Sequence, residues 1–200
     1  GFAQAGANLN ILAKNDTVIT AANSLGQETG STVNGHVCDI TDRARVNSVM
    51  KEFGHIDVLI NNAGLERPTP ILRADALVDE TFHRIIDTNI MGGFHITREA
   101  LPHMDKGGKI VITSSIWGQT AVPEMSAYCA SKHANIGFMR SLALELGPKG
   151  INVNAVCPGW VRTDAAMKSL GHMARISGRG EDDLLAEITA AQAVPGLMEP

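Results

Sequence analysis

Cysteine is scarce in this chain and offers no obvious pairing: Cys38, Cys129 and Cys157 are the three among 200 residues, with no CxxC pair. An odd, widely spaced set in apolar or small-residue surroundings suggests neither a disulfide framework nor a zinc site, and reads as buried free thiols in a reducing compartment. The seven histidines show no metal-ligand spacing either, so no metal is expected. No apolar run approaches the roughly 20 residues needed to span a bilayer. No charged-then-apolar leader opens the sequence. A soluble cytoplasmic protein with no membrane partner is therefore expected. Seventeen basic residues against 21 acidic ones leave a net charge of −4, and the basic residues form no stripe. That sets nucleic acid aside as a partner. Repeats, low-complexity tracts and linkers are also missing, so residues 1–200 are expected to form a single domain.

What is present is an ordinary α/β composition, 44% hydrophobic with 20 glycines,. Short aliphatic or β-branched runs at Leu9–Ala13, Val33–Cys38, Val58–Ile60, Lys109–Thr113 and Ile151–Val156 read as strands,. Longer segments of helical period alternate with them. Residues 42–53 carry Val46, Val49, Met50 and Phe53 at i, i+3, i+4 and i+7, a helix-rich stretch runs through Phe82, Ile86, Ile90, Phe94 and Ile96, and Ala127–Leu146 forms a helix closed by Gly147-Pro148,. Apolar strands alternating with helices imply crossover connections and a parallel sheet covered on both faces. The fold class is thus α/β, a Rossmann-type doubly wound parallel sheet. In such sheets ligands bind beyond the carboxyl ends of the strands. Asp39, Asn61-Asn62-Ala63-Gly64, Ser114-Ser115 and Pro158-Gly159 all fall at such ends.

Tyr128 and Lys132 sit four residues apart on a predicted helix, one above the other on the same face. A free phenol, with a pKa near 10, is a poor base at neutral pH. A neighbouring ammonium favours the phenolate and makes proton exchange at a carbinol oxygen feasible. Ser115 precedes Tyr128 by thirteen residues and ends a strand, where its hydroxyl can meet a substrate oxygen or cap a turn. Asn89 interrupts a helical stretch as a poor helix former; such a residue can kink the helix and hold a water,.

Taken together, Asn61-Asn62-Ala63-Gly64, Asn89, Ser115, Tyr128 with Lys132, and Pro158-Gly159-Trp160-Val161-Arg162-Thr163 resemble the motifs of the short-chain dehydrogenase/reductase family, classical type, in order and spacing. The resemblance implies an enzyme that moves a hydride between NAD(P)(H) and a secondary alcohol or ketone. It makes Tyr128 the general acid/base. Lys132 lowers the pKa of Tyr128 and holds the nicotinamide ribose; Ser115 polarises the carbonyl; Asn89 holds a relay water. Asp39 and Ile40 with Asn61, Ala63 and Gly64 are implied around the adenosine half of the cofactor. Pro158, Gly159, Val161 and Thr163 are implied around the nicotinamide and pyrophosphate. The family also implies a homotetramer or homodimer built through the long helices, about 82–104 and 127–146. The alternative is a non-catalytic dinucleotide-binding regulatory or structural subunit of the same fold.

Two family features are missing. No GxxxGxG loop with its opening strand precedes residues 1–7, and residues 194–200 read as the approach to a further helix. The expectation is a domain truncated at both ends, with two strand edges left unpaired. At the end of the first strand present, Ala13 stands where an NAD-type acid is expected and Lys14 follows. This leans toward NADP(H) over NAD(H). Trp117 and Trp160, with Glu66, Arg67, Glu124 and Met125, are expected near the substrate, and residues 167–183 as a lid. Asp57 and His133 read as structural and surface residues.

Overall fold

The computed structural model describes residues 1–73, 75–190, 192 and 196–199. Hydrogen-bonded turns over the first residues, with the Ala5 N–H donating to the Gly1 carbonyl at 3.0 Å, lead into β1, Leu9–Ala13. Then follow α1 (Thr17–Thr29), β2 (Val33–Val37), α2 (Arg43–Met50), β3 (Val58–Asn61), α3 (Ala76–Ile86) and α4 (Gly93–Ala100). The second half holds β4 (Lys109–Thr113), α5 (Ser126–Leu146), β5 (Asn152–Val156), α6 (Asp164–Ser177) and α7 (Glu181–Ala190). All strand pairs are parallel, with helices as the crossovers, so this is the Rossmann-like α/β fold expected. Three helix starts are set by side-chain caps that satisfy free backbone N–H groups: Asp42 for Arg45, Asp75 for Leu77 and Thr163 for Ala166.

The strands form two sheets. β1 pairs with β2, Leu9 opposite Val33, while β3, β4 and β5 form a second sheet with Leu59, Ile110 and Val153 in register. Among the described residues no strand lies between β1 and β3, and both line one large cavity. The unpaired edges expected from the sequence are these two.

The main core belongs to the three-stranded sheet. Ile110, Ile112 and Val153 pack with Ile96 and Ala100 of α4, Leu142 and Leu146 of α5, and Val46, Val49 and Met50 of α2. Phe53 of the expected stripe lies beyond α2, half-buried against that core. A second cluster joins Trp117, Met125, Cys129 and Trp160 to Leu170, Ala174 and Leu184 of α6 and α7. The predicted lid is thus helical and seated on both tryptophans.

Two local features differ from what the sequence suggests. Helix α1 was not expected, because its residues alternate small and polar (TVITAANSLGQET) and only Val18 and Ala22 are buried. It lies against β2 because Gly35 has no side chain; a Cβ there would sit 2.6 Å from the Val18 carbonyl oxygen. The helix expected through Phe82 to Ile96 is divided by a π-helical turn at Asp87–Gly92. The expectation for residues 194–200 falls partly outside the described residues, since Val194, Pro195 and Pro200 are among those not described.

Candidate active site

A cavity of about 1630 Å³ runs along the length of β1 and β3 and past the carboxyl ends of β2, β4 and β5. Lys14, Asp39, Ile40, Asn61, Ala63, Gly64, Ser115, Trp117, Tyr128, Lys132, Pro158, Gly159, Trp160, Val161 and Thr163 all line it. Asn89 does not. The rest of the predicted catalytic and cofactor set is brought to one space, because parallel strands present all their carboxyl ends on the same side. Glu124 and Met125, expected near the substrate, do not line it, Glu124 facing a separate cavity and Met125 being buried in the core.

Asn89 works from behind that wall. It is buried in the π-helical turn, where its Oδ1 accepts from the Leu65 N–H at 2.7 Å. Its Nδ2 donates to the Leu65 carbonyl at 3.0 Å and to Ser131 Oγ at 2.9 Å. Ser131 Oγ in turn donates to the Tyr128 carbonyl at 2.8 Å. One buried amide therefore ties the turn after β3 to the α5 segment between Tyr128 and Lys132. A π-turn is a common way to aim such a side chain, since it adds a residue to the helix turn.

Lys132 is 4% exposed, its Nζ donates to the Thr113 carbonyl at the end of β4 at 2.8 Å, and it stands 5.5 Å from the centre of the Tyr128 ring. Burial lowers its pKa to about 8, against the opposing charges of Glu66 and Cys157. The expected lowering of the Tyr128 pKa is not found. Burial pushes the phenol up, the Glu66 charge pushes it further, and Ser115 pulls the other way. Desolvation penalises the phenolate and the ammonium alike, so each group is driven toward its neutral form.

Ser115 Oγ accepts from the Trp117 N–H at 3.2 Å and caps the short 3₁₀ turn Ile116–Gly118. The capping role and the catalytic one are compatible, because accepting leaves the hydroxyl proton to donate. Ser114 donates to the Lys132 carbonyl at 2.8 Å, which fastens β4 to α5. Trp117 meets Tyr128 and Trp160 edge to face, each at 5.9 Å between ring centres. Both indoles are at least nine-tenths buried, so they form a packed wall of the cavity.

At the other end of the cavity, Asp39 Oδ1 accepts from the Thr41 N–H (2.9 Å) and hydroxyl (2.8 Å). Those bonds, with a smaller contribution from Lys14, hold its carboxyl below the usual range. Asn61 Nδ2 donates to Thr97 Oγ1 at 2.8 Å, and the Ile40 carbonyl lies 3.2 Å from His95 Nδ1. Gly64 passes at van der Waals distance over the site: a Cβ there would lie 3.5 Å from Asn89 Oδ1 and 3.6 Å from Lys132 Nζ. The Pro158 carbonyl accepts from the Ile116 N–H at 3.0 Å, and Gly159 leaves room for Gln192, whose Oε1 accepts from the Trp160 N–H at 2.6 Å. Val161 bridges to Met198, and Thr163 caps α6.

Residues the sequence did not signal complete the support. Thr69 Oγ1 accepts from the Ala127 N–H at 3.0 Å, and its N–H donates to the Glu124 carbonyl at 2.6 Å, docking the start of α5. Glu124 itself has φ 63, a left-handed conformation uncommon outside glycine,. His133 is exposed and Asp57 precedes β3, as expected.

Comparisons with known proteins point the same way. The model of the short chain dehydrogenase family matches residues 1–173. The chain is 34% identical to a D-beta-hydroxybutyrate dehydrogenase of Rhizobium meliloti, over 94% of this chain and 74% of that protein. It is 38% identical to the oxidoreductase UcpA of Salmonella typhimurium, over all of this chain and 76% of that one. Among solved structures, an actinorhodin polyketide ketoreductase variant with NADPH superposes with a TM-score of 0.86 at 29% identity, covering 100% of this chain and 79% of its own. An NAD⁺-bound xylitol dehydrogenase gives 0.87 at 26%, covering 98% and 79%. A family match across most of the chain, joined to parallel strand ends that gather the motif residues in one cavity, means that this chain belongs to the short-chain dehydrogenase family.

Proposed function

We propose that the chain is an NAD(P)-dependent oxidoreductase that interconverts a secondary alcohol and its ketone, with Tyr128 as general acid/base. The observation that carries this reading is the Tyr128–Lys132 pair, held against one wall of the cavity beside Ser115. The residues present fit a nicotinamide dinucleotide. Gly64 leaves the floor over Lys132 open, four strand ends give main-chain access, and Asp39 keeps Oδ2 free of protein donors among the described residues. Asp39, Ile40, Asn61, Ala63 and Gly64 would hold the adenosine half; Pro158, Gly159, Val161 and Thr163 the nicotinamide half. Bound there, the nicotinamide supplies or takes up the hydride.

The chain's own residues manage the proton and the geometry. A phenol with a raised pKa is protonated at neutral pH, the form that gives a proton to a carbonyl oxygen as it becomes an alkoxide,. Ser115 has a hydroxyl proton to donate to the same oxygen. The Lys132 ammonium adds positive charge beside the phenol. Asn89 positions rather than reacts, fixing the turn that carries Gly64 relative to α5.

Lys14, exposed and lining the cavity next to Ala13, favours NADP(H) over NAD(H), since a cation suits a ribose 2′-phosphate,. A cytoplasmic setting suits the free cysteines Cys38, Cys129 and Cys157,. Exposed Met91, Phe94 and Leu144 on the π-turn, α4 and α5 support a homodimer or homotetramer through those helices,; light scattering at micromolar concentration checks it, a monomer counting against. The decisive assay follows NADPH and NADH absorbance with a panel of ketones, using wild type and Tyr128→Phe. Turnover lost in the variant with nucleotide binding kept is the expected result. Tight nucleotide binding with no turnover across the panel would favour the non-catalytic alternative.

A further inference from the structure

Glu66 stands two residues beyond Gly64 and next to Leu65, whose N–H and carbonyl both bond to Asn89. It lines the same cavity as Ser115, Tyr128 and Lys132. Its charge acts on both Tyr128 and Lys132, raising the pKa of each. One carboxylate oxygen, Oε1, accepts from the hydroxyl of Ser169 on α6. The other has no hydrogen-bond partner among the described residues, and no fully buried side-chain polar atom among them lacks one. Oε2 is therefore not fully buried, on a side chain that lines the cavity. Arg67, the adjacent cation, turns its guanidinium back onto the Glu66 main-chain carbonyl at 2.7 Å and so leaves the carboxylate unpaired by a cation.

An acceptor that solvent can reach and that has no protein donor exchanges its water for a ligand hydroxyl at little cost. Burial raises the Glu66 carboxyl, while Ser169, Lys132 and Arg67 favour its charged form. A carboxylate accepts a hydroxyl proton well and repels another carboxylate. We infer that Glu66 selects the substrate: Oε2 accepts a hydrogen bond from a hydroxyl next to the reacting carbonyl, so the site prefers neutral hydroxyketones and their vicinal diols to plain ketones and keto acids. This rests on the oxidoreductase reading above. The positioning is inherited from Asn89, since the same two bonds that place Gly64 over Lys132 aim the next residues along the turn.

The test compares three carbonyl probes, 2-hydroxycyclohexanone, cyclohexanone and acetoacetate, on wild type, Glu66→Gln and Glu66→Ala, with thermal melting as a folding control. Wild type should prefer the hydroxyketone over cyclohexanone by about 10-fold or more in kcat/KM. Both variants should lose most of that preference, and acetoacetate should improve relative to cyclohexanone. A purely structural role would lower all three rates together and leave the ratios unchanged. Reduction of cyclohexanone with no hydroxyketone preference in wild type, or a preference that survives both substitutions, overturns the inference and leaves the oxidoreductase reading standing. No reduction of any probe, or of any ketone in the wider panel, overturns both.

Discussion

The two sheets of this protein face one cavity but are built to opposite standards. In the three-stranded sheet, Ile110 is 0% and Ile112 2% exposed, and the strand ends lead into side chains whose polar atoms are spent on one another: Asn89 on Leu65 and Ser131, Ser114 and Lys132 across β4 and α5. In the two-stranded sheet no strand residue is fully buried, and Lys14 and Asp39 beyond it are exposed. In β3, whose edge toward β1 has no paired strand among the described residues, Leu59 is in the core and Val58 and Ile60 are 42% and 40% exposed. Where a proton must be passed, a site benefits from dry, fixed groups, because electrostatic effects weaken when water reorganises around them. The exposure of β1 goes with its edge toward β3, which has no paired strand among the described residues.

This contrast can be broken first at the chemistry. Tyr128→Phe should lower kcat about 10²- to 10⁴-fold, the usual worth of a positioned acid/base, with nucleotide affinity measured by fluorescence titration nearly unchanged. Next comes packing. Ile110→Ala in β4 should cost about 2–5 kcal/mol by denaturant melting. Leu12→Ala in β1, only half-buried, should cost less than half as much; equal losses would erase the difference between the sheets. Asn89→Ala should follow, at about 1–3 kcal/mol, because the Leu65 N–H and carbonyl lose their partner in a buried place. A fall in kcat beyond what the melting shift explains would mark its positioning role.

The Lys132 shift gives a pH test on the three-stranded side. Its ammonium persists below a pKa of about 8 in the free protein and is lost as pH rises through that value. Ketone reduction followed as kcat/KM should therefore decline about tenfold per unit above that pH. Lys132→Arg should remove that limb, because guanidinium stays charged; a limb unmoved in the variant assigns it to another group. The smallest effect belongs to the two-stranded side. Lys14→Glu should shift the NADPH-to-NADH ratio of kcat/KM by about fivefold toward NADH, as befits an exposed charge.

The strands were legible because each is a short aliphatic run between turn residues, and Lys109–Thr113 matches to the residue. Helix α1 was not, because the residues it buries are few and the helix depends on Gly35 in a neighbouring strand. The π-turn was visible only as a misplaced asparagine. Whether such a residue kinks, hydrates or ties a helix depends on which backbone comes within reach. Leu65, 24 residues earlier in the chain, supplies it.

Sequence alone determined the order of the strands, and with it which ends of the strands carry Asp39, Gly64, Ser115 and Gly159, since side-chain chemistry and parallel crossovers leave little choice. It also placed Tyr128 and Lys132 on one helical face, because that follows from the 3.6-residue period. Tertiary structure alone decided their protonation. The local spacing promises a phenol made more acidic by its lysine, whereas burial and the Glu66 charge hold the proton on Tyr128, and burial loosens the one on Lys132. Desolvation is a property of everything packed around a group, and no four-residue motif contains it.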